Sequence, residues 1–214
     1  MKYDSSKIEV LEGLEAIRQR PAMYVGQLDD PALFNRLIQE AMCLAIDEIL
    51  SSNGSQIKVS VFADGSVCVR DNGRGISMTP NDRGEILAED LFSKLYACRN
   101  HKANSELKKS CCEMGIAVVN ALSEWFRVRN FREGVCWVQE YRYGKPLAPF
   151  RREQETAETG LELSFLPDPS LLSDLHFDAD KLVHWVNGIE AEFGSPSVIE
   201  GRHGGVILLF ETLR

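Results

Sequence analysis

Apolar and polar residues alternate along this chain in two rhythms, and the switches between them mark its elements. Residues 8–17 carry apolar side chains at helical spacing behind Ser5-Ser6, a pair able to cap a helix, and Pro21 closes the stretch. The clearest stripe runs over 32–50, where Phe34, Leu37, Ile38, Ala41, Ala45 and Ile49 recur at steps of three and four before Asn53-Gly54. The rhythm then shortens to two. IKVSVFA and SVCVRD, joined by Asp64-Gly65, predict a β-hairpin, and the glycine-rich segment from Asn72 to Ser77 is a loop. A helix is expected over 86–96, a long polar loop over CRNHKANSELKKS, another helix from Gly115, and a second hairpin turning at Glu133-Gly134. LELSFL reads as a strand, 180–193 as a helix and VILLFETL as a last strand. With no βαβ cadence and no internal repeat, this order predicts an undivided α+β fold, one mixed sheet with helices on one face.

Composition narrows the function classes. The 214 residues include 24 basic and 32 acidic side chains, a formal charge of −8, which argues against a module that holds DNA by blanketing its phosphates. Apolar residues at 44% and charged residues at 26% exclude wholesale disorder and a fibre. No apolar run approaches the ~20 residues of a membrane helix. The start, MKYDSSKIEV, lacks the apolar core of a secretion signal, so a cytoplasmic location without membrane contact is expected. Cys43, Cys68, Cys98, Cys111, Cys112 and Cys136 show no CxxC spacing, and reduced thiols are favoured over a disulfide or zinc framework.

Three places carry candidate chemistry. Glu40, Leu44 and Glu48 follow at four-residue steps along the border of the long stripe. A carboxylate there is either a general base or a solvated helix charge, and taken alone the solvated reading is favoured. Asp71-Asn72-Gly73-Arg74-Gly75-Ile76 follows a strand directly; its alternating glycines allow a flat ligand close to the backbone, with Asp71 accepting a donor. A plain turn is the simpler reading of those residues alone. Gly115 opens a helix, a setting that attracts phosphate, but no other glycine precedes it and Glu113 brings a negative charge.

Together and in order, IEVLEGLEAIRQRPAMYVG, IQEAMCLAIDEIL, ADGSVCVRDNGRGI, MGIAVVNALS and TGLELSFLPD resemble the N-terminal ATP-binding subdomain of gyrase B and topoisomerase IV B proteins. These are GHKL ATPases, and the resemblance covers nearly the whole chain. It implies a GHKL (Bergerat) sandwich over 1–214, with a lid loop at about 77–114 and without the transducer and cleavage domains. It also implies roles. Glu40 matches the general base that activates the attacking water, and Asp71 the carboxylate that accepts from the adenine amino group. Gly73, Gly75, Thr159 and Gly160 match the base-binding turns, Gly115 the last glycine of the lid, and Ile76 and Val118 the apolar walls. Arg74 and Glu48 match an ion pair at the pocket mouth.

The departures from the family pattern cluster at the phosphate end. The family places Asn one turn after the base, where it binds Mg²⁺; here stands Leu44, which has no oxygen for a hard cation. The glycine-rich lid motif is Lys109-Ser110-Cys111-Cys112-Glu113-Met114-Gly115. Like charges 4–6 Å apart near a surface cost about 3–4 kcal/mol before screening, so Glu113 opposes a triphosphate. A threonine near the adenine is Leu161, and a rim arginine is Val138. The resemblance therefore implies ATP as the ligand, argues against Mg²⁺, and predicts impaired hydrolysis. The alternative is a non-catalytic pseudo-ATPase that binds a partner protein or an adenine-containing ligand. Implied partners are type IIA topoisomerase subunits or a second copy, without direct DNA binding. The lid loop, with few apolar anchors, is expected to be poorly ordered without ligand.

Overall fold

The computed structural model of the chain describes residues 13–95, 97, 113–172, 175–193 and 207–213. The start of the first expected helix, residues 96 and 98–112 of the expected lid loop, and with them Cys98, Cys111 and Cys112, lie outside the described residues. In chain order the elements are α1 (Glu15–Gln19), α2 (Ala22–Val25), α3 (Leu33–Leu50), β1 (Gln56–Phe62), β2 (Val67–Asp71), α4 (Leu87–Ser93) and α5 (Ile116–Ala121). There follow β3 (Ser123–Arg132), β4 (Val135–Arg142), β5 (Lys145–Pro146), β6 (Arg151–Glu155), β7 (Gly160–Pro167), α6 (Ala179–Phe193) and β8 (Ile207–Leu213).

One sheet takes all these strands in the order β5-β4-β3-β7-β2-β1-β8, with β6 also on β4. Neighbours run antiparallel except β1 and β8, which are parallel. The register aligns apolar side chains into rows. Val59, Val69, Leu163 and Val128 form one row, and Val61, Val67, Phe165, Phe126 and Tyr141 the next. These residues are buried in a single core with Leu37, Ile38, Ala41 and Ala45 of α3 and with α5, all six of whose residues are buried. Phe126 sits at its centre, its ring 5.9 Å from Phe92, 6.0 Å from Tyr141 and 6.2 Å from Phe165. The opposite face carries Lys58, Arg70, Glu162 and Arg129 across successive strands, charged neighbours that suit water. Helices thus cover one face, as the order of elements predicts.

Three local features differ from the sequence reading. Pro21 does not only close a helix; it heads α2, because a proline lacks the N–H that the first turn leaves unused. The helix expected over 86–96 stops at Ser93, where Lys94 takes extended dihedrals (φ −115°, ψ 133°). β6 has no signal in the sequence, since RREQE lacks apolar alternation: it is an outlying strand on β4 with four of its five side chains exposed. At the far end of the core, Arg18 donates to the Ala121 carbonyl at 2.8 Å and pairs with the buried Asp168, tying α1 to the ends of α5 and β7.

Candidate functional site

One step beyond the apolar rows the core face of the sheet turns polar. Ile57 lies opposite Asp71, and Leu161 opposite Asn130, so two polar side chains stand where the alternation would place core residues. A cavity of about 280 Å³ opens there. Leu44, Asp47 and Glu48 line it from α3, where their spacing puts them on one side of the helix. Asp71 and Leu161 reach it from the strand ends, Arg74 to Ser77 from the loop after β2, Leu87 and Leu91 from α4, and Arg132 from β3. The surroundings are leucine and isoleucine on two sides and charged at the rim.

Asp71 is 6% exposed, and its Oδ1 accepts the Gly73 N–H at 2.7 Å. Burial pushes its pKa up from 3.8 to about 6, against the lowering influence of the Gly73 N–H, the Arg70 charge and a backbone hydrogen bond from Leu161. A carboxylate poised in this way, beside apolar walls, is suited to accept a hydrogen from an amino group on a flat heterocycle. The loop that presents it is more than a plain turn. Asn72 Oδ1 accepts the N–H groups of Ser55 and Gln56 at 2.8 and 2.9 Å, pinning the loop to the start of β1. Asn130 grips Ile76 twice, accepting its N–H and donating to its carbonyl, each at 2.8 Å.

Close approach explains two glycines. A Cβ on Gly75 (φ +71°) would lie 2.7 Å from Asn130 Oδ1 and 2.8 Å from the Phe131 carbonyl oxygen. One on Gly160 (φ +111°) would lie 2.1 Å from the Asp71 carbonyl oxygen, so Gly160 lets β7 press directly behind Asp71. Glu48 and Arg74 form a two-pronged ion pair, with Nε to Oε2 at 3.0 Å and Nη2 to Oε1 at 2.8 Å, and the Arg74 N–H adds a third bond. Burial alone would raise the Glu48 pKa, but these bonds and the Arg74 charge outweigh it and hold the carboxyl below its ordinary value.

Glu40 does not lie in water, contrary to the reading favoured by the helix alone. It is 2% exposed, and its carboxylate accepts three backbone N–H groups: Glu113 at 2.6 Å, Met114 at 2.9 Å and Gly115 at 2.9 Å. The structure therefore brings Asp71, Gly75, Ile76, Glu48 and Arg74 to the cavity, with Gly73 hydrogen-bonded behind Asp71. It places others elsewhere. Gly115 heads α5 against Glu40; Val118, 1% exposed, belongs to the core and is not part of the lining; the Thr159 carbonyl accepts from Arg70 on the charged face. Val138 is buried with Phe131 and Cys136, whereas the arginine at the rim is Arg132, donating to the Gly75 carbonyl at 3.0 Å.

Sequence reasoning missed Asn130 and Arg132. Asn130 had a signal, since it follows Phe126 and Val128 at two-residue steps and so breaks an inward-facing row with an amide. Leu44 contributes only hydrocarbon to the wall, and the described residues contain no group of three or more His, Cys, Asp or Glu side chains placed to hold a metal ion. No described helix is long and apolar enough to cross a membrane.

An open, mostly antiparallel sheet backed by helices, with a buried aspartate at the head of a glycine loop, makes an α+β fold consistent with a GHKL sandwich. No family model matches the sequence. Curated relatives do. The DNA gyrase B protein of Thermotoga maritima is 37% identical over 201 residues, covering 90% of this chain and 31% of that protein. The DNA topoisomerase 4 B protein of Enterococcus faecalis is 35% identical over 184 residues, 85% of this chain and 27% of its own length. The DNA gyrase B protein of Clostridium acetobutylicum is 37% identical over 182 residues, 84% of this chain and 28% of its own. Over this stretch the chain matches the N-terminal region of gyrase B and topoisomerase IV B proteins. It spans less than a third of the length of these relatives.

Proposed function

We propose that this chain is an adenine-ligand-binding module of the gyrase B type in which ATP hydrolysis is impaired. The observation that carries the reading is the division of the site along α3. At one end the buried Asp71 and the Glu48–Arg74 pair remain around a cavity with leucine and isoleucine walls and a charged rim. At the other, Leu44 stands on the cavity wall where Mg²⁺ would need an oxygen, and the Glu40 carboxylate is engaged by three amides. ATP suits the first half through its amino-purine, and the residues do not fit a magnesium ion at the second. A general base must reach the proton it removes, and Glu40 in this arrangement is turned to backbone donors.

Under this reading the partners are type IIA topoisomerase subunits or a second copy of the chain, and the location is the cytoplasm. The net charge of −8 supports a module that meets proteins and small ligands, not bare DNA. Steady-state phosphate release with Mg²⁺ tests the central point. No turnover above background is expected. Turnover at the level of an active gyrase B, lost in Glu40→Ala, would overturn the reading.

A further inference from the structure

Beyond Asp71 the chain leaves the sheet: the pairing of β2 with β1 ends at Asp71, and that with β7 at Arg70. A peptide group shut from water in such a loop must find its donor and acceptor elsewhere. Ile76 finds both in one side chain. Asn130 Oδ1 accepts its N–H and Asn130 Nδ2 donates to its carbonyl, each at 2.8 Å, so a side-chain amide takes the place of a neighbouring strand. Asn130 is wholly buried, and in β3 it stands opposite Leu161 of β7. The fit is close, since a Cβ on Gly75 would lie 2.7 Å from the same Oδ1. An apolar side chain would simply continue the inward row of Phe126 and Val128, whereas a buried amide is costly unless both its ends are satisfied. Its presence at 130 answers a need of the loop, not of the core.

The cavity lining does not include Asn130, but it includes the residues on either side of it. Ile76, which Asn130 holds, and Leu161, its cross-strand neighbour, both line the cavity, as do Arg74, Gly75 and Ser77 of the same loop. We propose that Asn130 is a positioning residue of this site: it locks Ile76 into the cavity wall with no ligand bound, and so fixes the surface on which a flat ring held by Asp71 packs. Both ends of the amide are engaged by Ile76, so this wall meets the ligand as hydrocarbon and Asp71 supplies the directional contact. The identity of the ligand rests on the adenine reading above, whereas the clasp on Ile76 stands on its own geometry.

Two variants test this. Asn130→Leu removes both bonds to Ile76 at similar size. Asn130→Asp makes the clasp depend on pH: a protonated carboxyl has an acceptor oxygen and an O–H donor, as the amide does, whereas the ionised form only accepts. Calorimetric titration with adenosine is made at about pH 5.5 and about pH 8.5, a range that brackets a carboxyl whose pKa is raised by burial. Asp71, Glu48, Arg74 and Arg132, the charged groups of the loop and rim, are common to all three proteins, so affinity relative to wild type at each pH isolates position 130. Asn130→Leu is expected to bind adenosine about tenfold or more weakly at both pH values, and Asn130→Asp to share that loss only at the higher one. Amide exchange at Ile76 in the ligand-free proteins is expected to follow the same pattern. Should the leucine variant not fold, the aspartate variant alone carries both readouts. A loss in Asn130→Asp that is equal at the two pH values, or Ile76 exchange unchanged in both variants, overturns the proposal. Absence of adenosine binding by the wild type defeats the adenine reading instead; pH-dependent exchange at Ile76 in Asn130→Asp then still supports the clasp, and pH-independent exchange relative to wild type overturns it.

Discussion

A carboxylate whose pKa is raised by burial works against the fold when it is ionised, and Asp71 does so across the neutral range. Its pKa rises from 3.8 to about 6, so the folded state holds the proton more tightly than the unfolded chain. The sign follows: this residue favours the fold most below about pH 4, and that advantage is lost as the pH rises through 6. Asp71→Asn keeps an oxygen for the Gly73 N–H and removes the buried charge. At pH 7.5 it is expected to raise the unfolding free energy by about 2–3 kcal/mol, the gain vanishing near pH 4, while adenosine binding is abolished. Urea titrations at the two pH values check this; a gain that persists at pH 4, or retained binding, contradicts it. Residues of this kind are legible in the sequence because the loop after β2 is contiguous. Asp71, Arg74 and Gly75 stand in one hexapeptide, and the helical repeat of α3 places Glu48. Asn130, 54 positions from Ile76, is not legible in that way, because only strand register brings it there. The burial of Glu40 is likewise hidden, for its three donors stand 73 to 75 positions away.

Among the elements, the hairpins and the long helix follow directly from periodicity, since each places one continuous apolar set on one face. The short pieces do not. β6 is held by pairing with β4 and by Glu153, which bonds Arg127 at 2.8 Å and Arg129 at 3.1 Å, so cross-strand charges take the place of an apolar pattern. The meeting of β7 with β2 is a very tight joint, because Gly160 leaves no room for any side chain behind Asp71. Gly160→Ala is expected to cost about 3 kcal/mol or more, from overlap with backbone and from its positive φ, and to weaken adenosine binding by displacing Asp71. Denaturant unfolding with m unchanged, and the midpoint lowered, is the expected signature. A loss below about 1 kcal/mol would mean that β7 can shift away from β2 without penalty.

For the molecule as a whole, the α+β class and the family are both readable, since the order of helices and hairpins and several motifs run almost the length of the chain. What the sequence does not convey is how the two halves of the site are joined. At one end is a cavity with Asp71 in place, and at the other the Glu40 carboxylate accepts the amides of Met114 and Gly115. Those halves are linked by one helix, so their chemistry is separable by titration. The most direct measurement is calorimetry with adenosine and with a non-hydrolysable ATP analogue, each with and without Mg²⁺. Adenosine is expected to bind, the analogue to bind no more tightly, and Mg²⁺ to change neither. Tight binding of the analogue that depends on Mg²⁺ would contradict this, because other groups would then be supplying the ligands that Leu44 and the entry turn of α5 do not.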